Sequence, residues 1–479
     1  MRRVAATAQR EREAPEPPLK RAPLGFWLLA GVYLLLLGVN FVGQQQPSEA
    51  EAEFRLRDIE ADIRMVESMA ILAPDADLGD ALSQITEVAG RAVDLAQADG
   101  TPPPIAEQAA AIWLIFRPAD ATADSVTSLL PAEDARGALS ECILLAANGE
   151  MVVAEHRAAL LDIKMSRWLL SRLTVYLDTP GELPEATSSH AARETEFGRA
   201  FGAVFLWFMV FGLIGLGLLI ALPYYKNRLP GQGLRSEMTS PFRPEWWSGW
   251  YALFFWSATQ GAAGVVVGGL MISVDFLRPY LMLGTLAVQI GAGVLTFKFI
   301  GLYVTASQRS FAGVIADLRA GLGPFDGKAL PALGYAVGGY AIAIPILFGA
   351  AAFQSLLPFT EEIVTNPVLV ELVDSDSAFR QLVILFSAVV AAPIFEEAIF
   401  RGVLYRHLRT RIGIPWAVVV TSLCFSIMHP SLTTLIPLFA LGCILALVTE
   451  RSGSVLPAML MHALWNGAQL LLTIVRYGG

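Results

Sequence analysis

Charge is scarce in this chain. Only 16% of its 479 residues are Asp, Glu, Lys or Arg, while 54% are hydrophobic. A soluble chain of this length carries more charge and shorter apolar runs, so a water-soluble globular protein is excluded. Cysteine is scarcer still: Cys142, Cys424 and Cys443 cannot make a disulfide scaffold, and no CxxC or zinc-finger spacing occurs. Strand signals are few. Three short motifs are missing, namely HExxH, a GxGD aspartate and a GxSG serine. Ser248–Gly249 follows two tryptophans and Ser452–Gly453 follows Glu450–Arg451. Basic residues of the apolar part are scattered over its loops, which excludes a nucleic-acid binder. What remains is a mean hydropathy of +0.53, the mark of a polytopic membrane protein.

The net charge of −9 is unevenly spread. Residues 48–196 hold 27 acidic and 11 basic side chains, a balance of −16 that leaves +7 for the rest. An acidic soluble block is joined to a basic membrane block. Residues 1–21, with Arg2, Arg3, Arg10, Arg12, Lys20 and Arg21, read as a basic cytoplasmic tail. Residues 22–45 contain the apolar run Phe26 to Val42, long enough with its flanks to cross about 30 Å of hydrocarbon. No small-x-small cleavage site follows it, so it reads as an uncleaved anchor with its N-terminus inside. Residues 46–196 space apolar side chains by three and four, as in FRLRDIEADIRMVESMAILA. That pattern predicts an acidic helical domain outside the cytoplasm. It carries no catalytic motif, and the sequence does not name its partner.

Residues 197–479 contain eight apolar runs, near 197–224, 249–274, 280–304, 330–357, 381–405, 414–429, 432–449 and 455–475. With the anchor they predict nine spans and an all-α membrane bundle. Loops 225–248 and 306–329 and segment 401–411 are basic, whereas loop 358–380 is acidic, which places the basic ones inside. Two GxxxG spacings, Gly264/Gly268 and Gly334/Gly338, read as close helix packing.

Polar residues then interrupt the last runs at three places: Glu396–Glu397 with Arg401, Phe425 with His429, and His462 with Asn466. A lone carboxylate in hydrocarbon costs several kcal/mol unless it is paired, neutralised or in use. Counted from the neighbouring turns, Glu396 and His429 each lie about 21 Å in and His462 about 12 Å in, a compatible band. Adjacent glutamates on a helix point about 100° apart and cannot share one role. Glu397 and Arg401, at i,i+4, are spaced for an orienting ion pair, which leaves Glu396 for chemistry. His462 and Asn466 share the same spacing and can enter one site, and Phe425 lies one turn above His429 as a packing or substrate-facing wall. Each motif alone has a structural reading. The pair Glu361–Glu362 has Asn366 rather than an arginine near it and serves as a control.

The set EExxxR, FxxxH and HxxxN resembles the CAAX protease and bacteriocin-processing family, also called CPBP or Abi. The resemblance covers about residues 380–475 and leaves residues 1–196 outside it. It implies a helical bundle around a water-accessible cavity, and an intramembrane endopeptidase, a hydrolase cutting a peptide bond near the membrane. Glu396 would be the general base, His429 would hold the water, and His462 and Asn466 would stabilise the oxyanion. Members are often labelled metalloproteases. Glu396, His429 and His462 would give a divalent metal such as zinc three ligands, yet a metal-free mechanism uses the same residues, and the sequence does not choose.

Two other readings stand beside this one. A proton-coupled carrier would use Glu396 and the histidines as a relay, although no inverted repeat is found. A non-catalytic scaffold would act through the external domain. The expected partners are a membrane-associated protein or peptide substrate and the lipid bilayer. The alanine-rich composition and short loops suggest a bacterial inner membrane.

Overall fold

The computed structural model describes residues 22–43, 49–72, 78–98, 100–117, 122–133, 136–150, 152–163, 165–178, 188–225, 245–305, 329–357, 372, 377–429 and 432–477. Among these residues there is no strand, and the chain is an all-α polytopic bundle. The loops whose charges set the expected orientation (226–244, 306–328 and most of 358–376) lie outside the described residues, as do the basic tail and the control pair Glu361–Glu362.

Helix α1, Leu24–Gly43, is the apolar first run. Its Phe26 is buried, with ring centroids 5.5 Å from Trp246 and 5.4 Å from Phe254. Seven helices follow: α2 Glu49–Leu72, α3 Leu78–Gln97, α4 Pro103–Phe116, α5 Ala123–Thr127, α6 Ala138–Ala147, α7 Ala154–Leu160 and α8 Arg167–Asp178. They share a core in which Ile63, Ala109, Ile112, Leu114, Leu139, Ile143 and Leu169 are fully buried. Each large side chain so buried contributes about 1.5–3 kcal/mol. Helix α4 starts on Pro103, whose fixed φ suits a first turn and whose missing N–H costs nothing there. The Glu107 carboxylate inside this core is satisfied by the Gly137 amide at 2.5 Å and the Ser140 hydroxyl at 2.6 Å.

Helix α9, Ser188–Tyr225, is 38 residues long, about 57 Å, so it spans a bilayer and still projects beyond it. The remaining helices are α10 Ser248–Ser273, α11 Leu281–Phe299, α12 Ala329–Gln354, α13 Ala378–Phe386, α14 Ala392–Ile399, α15 Arg406–Ile427, α16 Leu435–Ser452 and α17 Leu456–Tyr477. Two π-turns, Ser387–Ala391 and Phe400–Tyr405, join α13 to α14 and α14 to α15.

Seven described helices are long and apolar enough to cross a membrane, and one of them, Ala378–Ile427, runs for 50 residues. That helix contains two of the eight apolar runs. It reverses at Gly413, whose φ of 76° and ψ of 168° are open to glycine and costly for other residues. The reversal is visible in the packing. A straight helix would separate Phe400 and Phe425 by about 37 Å, yet their ring centroids are 5.4 Å apart. The segment therefore makes two passes. Among the described residues, the passes between α2 and the end of α17 then form an even set of eight, which returns the chain to the side it left. The contact between Arg476 at the end of α17 and Asp58 and Asp62 of α2 requires that parity.

The GxxxG pairs do not pack as expected. A Cβ at Gly264, Gly268, Gly334 or Gly338 would meet nothing within 4 Å. Close approaches occur instead at Gly215, where a Cβ would overlap the Ala341 carbonyl oxygen, and at Gly442, where it would meet Ser422 Cβ at 2.9 Å. Glycine spacing alone does not say which face of a helix meets a neighbour and which meets lipid.

Candidate active site

The adjacent glutamates have different surroundings because α14 turns them to different sides. Glu397 is fully buried, and its Oε1 lies 2.8 Å from Arg401 Nη1 and 3.0 Å from His462 Nδ1. A carboxylate only accepts, so His462 carries its proton on Nδ1. Arg401 is also fully buried. Its Nη2 donates to the Gly442 carbonyl at 3.0 Å, and its guanidinium lies 4.7 Å from the Phe425 ring centre. The missing side chain at Gly442 is what lets α15 approach and the guanidinium reach that carbonyl. Glu396 keeps 15% of its side chain exposed; its Oε2 lies 4.0 Å from His462 Nε2 and accepts no hydrogen bond. One imidazole thus bridges the two glutamates, held through Nδ1 by Glu397 and facing Glu396 through Nε2.

Asn466 is placed by a backbone defect. In the π-turn Ser387–Ala391, the Ala392 amide donates to Ser387 O, an i→i−5 bond. The next bond in that register would come from residue 393 to Ala388 O, but Pro393 has no N–H. The orphaned Ala388 carbonyl is instead met by Asn466 Nδ2 at 2.8 Å. Ser387 Oγ donates to Gln289 Oε1 at 2.8 Å, so α11 also holds this turn. No sequence signal marks a bond between residues this far apart, although Pro393 inside an apolar run is a cue for a local break. π-turns of this kind recur at functional sites.

Phe425 is fully buried, and its ring centre is 4.9 Å from that of His429 and 5.8 Å from that of His462. It packs beneath both imidazoles and faces no open surface. His429 Nδ1 is 2.9 Å from the Phe425 carbonyl, which can only accept, so Nδ1 is the donor and the Nε2 lone pair is left available. Glu396, Glu397, Arg401, Phe425, His429 and His462 are thus brought into one cluster, with Asn466 one turn along α17 from His462. The three-ligand metal set does not fit this arrangement. Among the described residues no three His, Cys, Asp or Glu side chains converge as a metal ion requires. Of the three, Glu396 and His462 approach each other at 4.0 Å.

Residues 378–468 match the family model described as Rce1-like, a type II CAAX prenyl endopeptidase. Over this stretch the sequence is similar to the Rce1-like family. This is the CPBP group that the motifs resemble, a family of intramembrane proteases, and the match takes in every residue of the cluster. No curated protein and no solved structure matches the chain.

Below the cluster, the Rce1-like segment is fastened by a second polar network that the sequence did not reveal. Glu450 accepts from Tyr405 at 2.9 Å and from Arg409 Nε and Nη2 at 2.8 Å each. Bidentate pairing fixes direction as well as distance, so the start of α15 is locked against α16, and Tyr405 ties the second π-turn to the same carboxylate. On the other side, His407 is buried with Nε2 at 3.1 Å from the Trp246 carbonyl, which ties α15 to the start of α10.

Proposed function

We propose that this protein is an intramembrane endopeptidase that hydrolyses a peptide bond of a membrane-associated polypeptide, with Glu396 as general base. The observation that carries this reading is the contrast between Glu397, fully buried and ion-paired to Arg401, and Glu396, 15% exposed and ion-paired to no arginine, whose Oε2 faces the His462 imidazole at 4.0 Å. A carboxylate held this way in an apolar shell has a task beyond packing.

The Glu396 carboxylate takes a proton from water as the water oxygen bonds to the scissile carbonyl carbon. His429 Nε2 accepts from the same water and orients it. The oxyanion that forms is met by His462 Nε2–H in the imidazolium form, which the Glu397 carboxylate at Nδ1 supports, and by the second Nδ2 hydrogen of Asn466. The carbon–nitrogen bond then breaks as Glu396 returns its proton to the leaving amine. Phe425 positions the two imidazoles from beneath. No step is routed through a metal. The positive-inside pattern supports an N-terminus inside, with the C-terminal end of α17 and the α2–α8 part outside the cytoplasm, and the alanine-rich composition and short loops support a bacterial inner membrane.

The test compares protein termini by mass spectrometry in cells carrying the native chain or Glu396→Gln at matched expression. General-base removal lowers rates by about 10²–10⁴-fold, so termini seen with the native chain should vanish with the variant. Identical termini in both would refute the hydrolytic reading. Sensitivity of the native cleavage to a chelator, restored by zinc, would refute the metal-free part alone.

A further inference from the structure

Helix α2 touches the membrane bundle at two separated places. Near its start, Asp58 and Asp62 lie one turn apart on one face. Their Oδ1 atoms accept from Arg476 Nη2 at 2.7 and 2.8 Å, and their Oδ2 atoms accept from Arg91 of α3 at 2.8 and 2.6 Å. Tyr477 adds its hydroxyl to Asp58 at 3.1 Å and its ring to Phe54, with centroids 4.9 Å apart. Further along, Arg64 pairs with Glu194 at 3.3 Å and lies 4.2 Å from the Phe197 ring centre. The Ser68 hydroxyl donates to the Glu194 carbonyl at 2.9 Å, and a Cβ at Gly198 would meet Ser68 and Leu72 at 2.8 Å. Asp58 and Ser68, the outermost of these polar contacts, are about 15 Å apart along α2. The first place is the end of α17 and the second is the start of α9.

Two aspartates at i,i+4 repel each other unless cations share them. Here two guanidiniums do, one from each side, and one of the two belongs to the helix that carries His462 and Asn466. Arg476 lies about 21 Å beyond His462 and about 15 Å beyond Asn466 on a rigid rod.

We propose that α2 is a strut between α9 and α17, and that Asp58, Asp62 and Arg476 are positioning residues for His462 and Asn466. The acidic domain then acts as a brace on the candidate site rather than as an independent module. The link to catalysis rests on the proposed endopeptidase reading; the mechanical part does not.

The experiment follows hydrogen exchange across residues 456–477 of the full-length protein in lipid nanodiscs. Arg476→Gln should speed exchange around His462–Asn466 by about fivefold, the effect of losing a partly exposed ion-pair network. Arg476→Lys should leave it near native. Equal exchange in Arg476→Gln and the native chain overturns the strut. Cleavage products that are undiminished in Arg476→Gln while exchange has risen overturn the positioning role. Exchange does not depend on cleavage, so if Glu396→Gln leaves the termini unchanged, the protease reading fails and the strut is still decided.

Discussion

At the scale of the residue, Glu397 and Arg401 form a buried pair whose two charges meet almost no water. Such a pair adds little net stability over a well-packed apolar pair, but losing one partner leaves the other charge buried alone. Arg401→Met should therefore destabilise the folded protein by about 3–5 kcal/mol, whereas Glu397→Gln with Arg401→Met should cost distinctly less than that single change. Thermal unfolding of the detergent-solubilised variants measures both. If the double variant is no more stable than Arg401→Met, Glu397 is not the charge that Arg401 neutralises. The same carboxylate holds His462 Nδ1, so the double variant should lose cleavage even though it folds. The residue types and their i,i+4 spacing were legible in the sequence. What was hidden was that one carboxylate oxygen serves both arginine and histidine, because those two partners lie on helices far apart in the chain.

At the scale of the element, α13 to α15 show where periodic reasoning stops. Apolar runs and the basic 401–411 segment predict two helices, and the long segment does make two passes around Gly413. The π-turns within it were not legible, since they arise from packing around Pro393 and from side chains on α11 and α17. The i,i+4 spacing of His462 and Asn466 lets both enter one site, but it does not show that Asn466 meets Ala388 O, the carbonyl orphaned by Pro393. That assignment has a consequence. Pro393→Ala restores an N–H that can reach Ala388 O, so the stability lost on Asn466→Leu should shrink by about 1 kcal/mol in the Pro393→Ala background, the net worth of one hydrogen bond. A double-mutant cycle on thermal unfolding reads this coupling, and strict additivity would show that Asn466 does not cap that carbonyl. Cleavage should stay low in both Asn466 variants, because the proposed oxyanion donor is missing from each.

At the scale of the whole molecule, the charge balance predicts an acidic helical part beside an apolar bundle, and the buried core of α2–α8 is built from residues 56–177. What the sequence could not carry was the join, since Asp58 and Arg476 are 418 residues apart. The two faces of α2 have opposite duties. Asp58 and Asp62 point to the bundle, while Glu60, midway between them and about 200° round the helix, is buried in the α2–α8 packing. Burial pushes its carboxyl from 4.5 up to about 7, aided by Glu53 and opposed by a Ser166 hydrogen bond and by Arg57 and Arg64. Folding therefore keeps a proton on Glu60 in a range where the unfolded chain has released it. Its contribution is most favourable below about pH 4.5, falls as pH rises toward 7, and is level above that, a total loss of about 3 kcal/mol. Other carboxylates work in the opposite sense, so the informative quantity is the difference between the native chain and Glu60→Gln. Between pH 5 and pH 8 the native α2–α8 part should lose protection against hydrogen exchange by more than the variant does, and Arg476 should loosen its hold on α2 in parallel. The same fall in both proteins would mean that Glu60 is ionised throughout and that the pH response of the strut lies elsewhere.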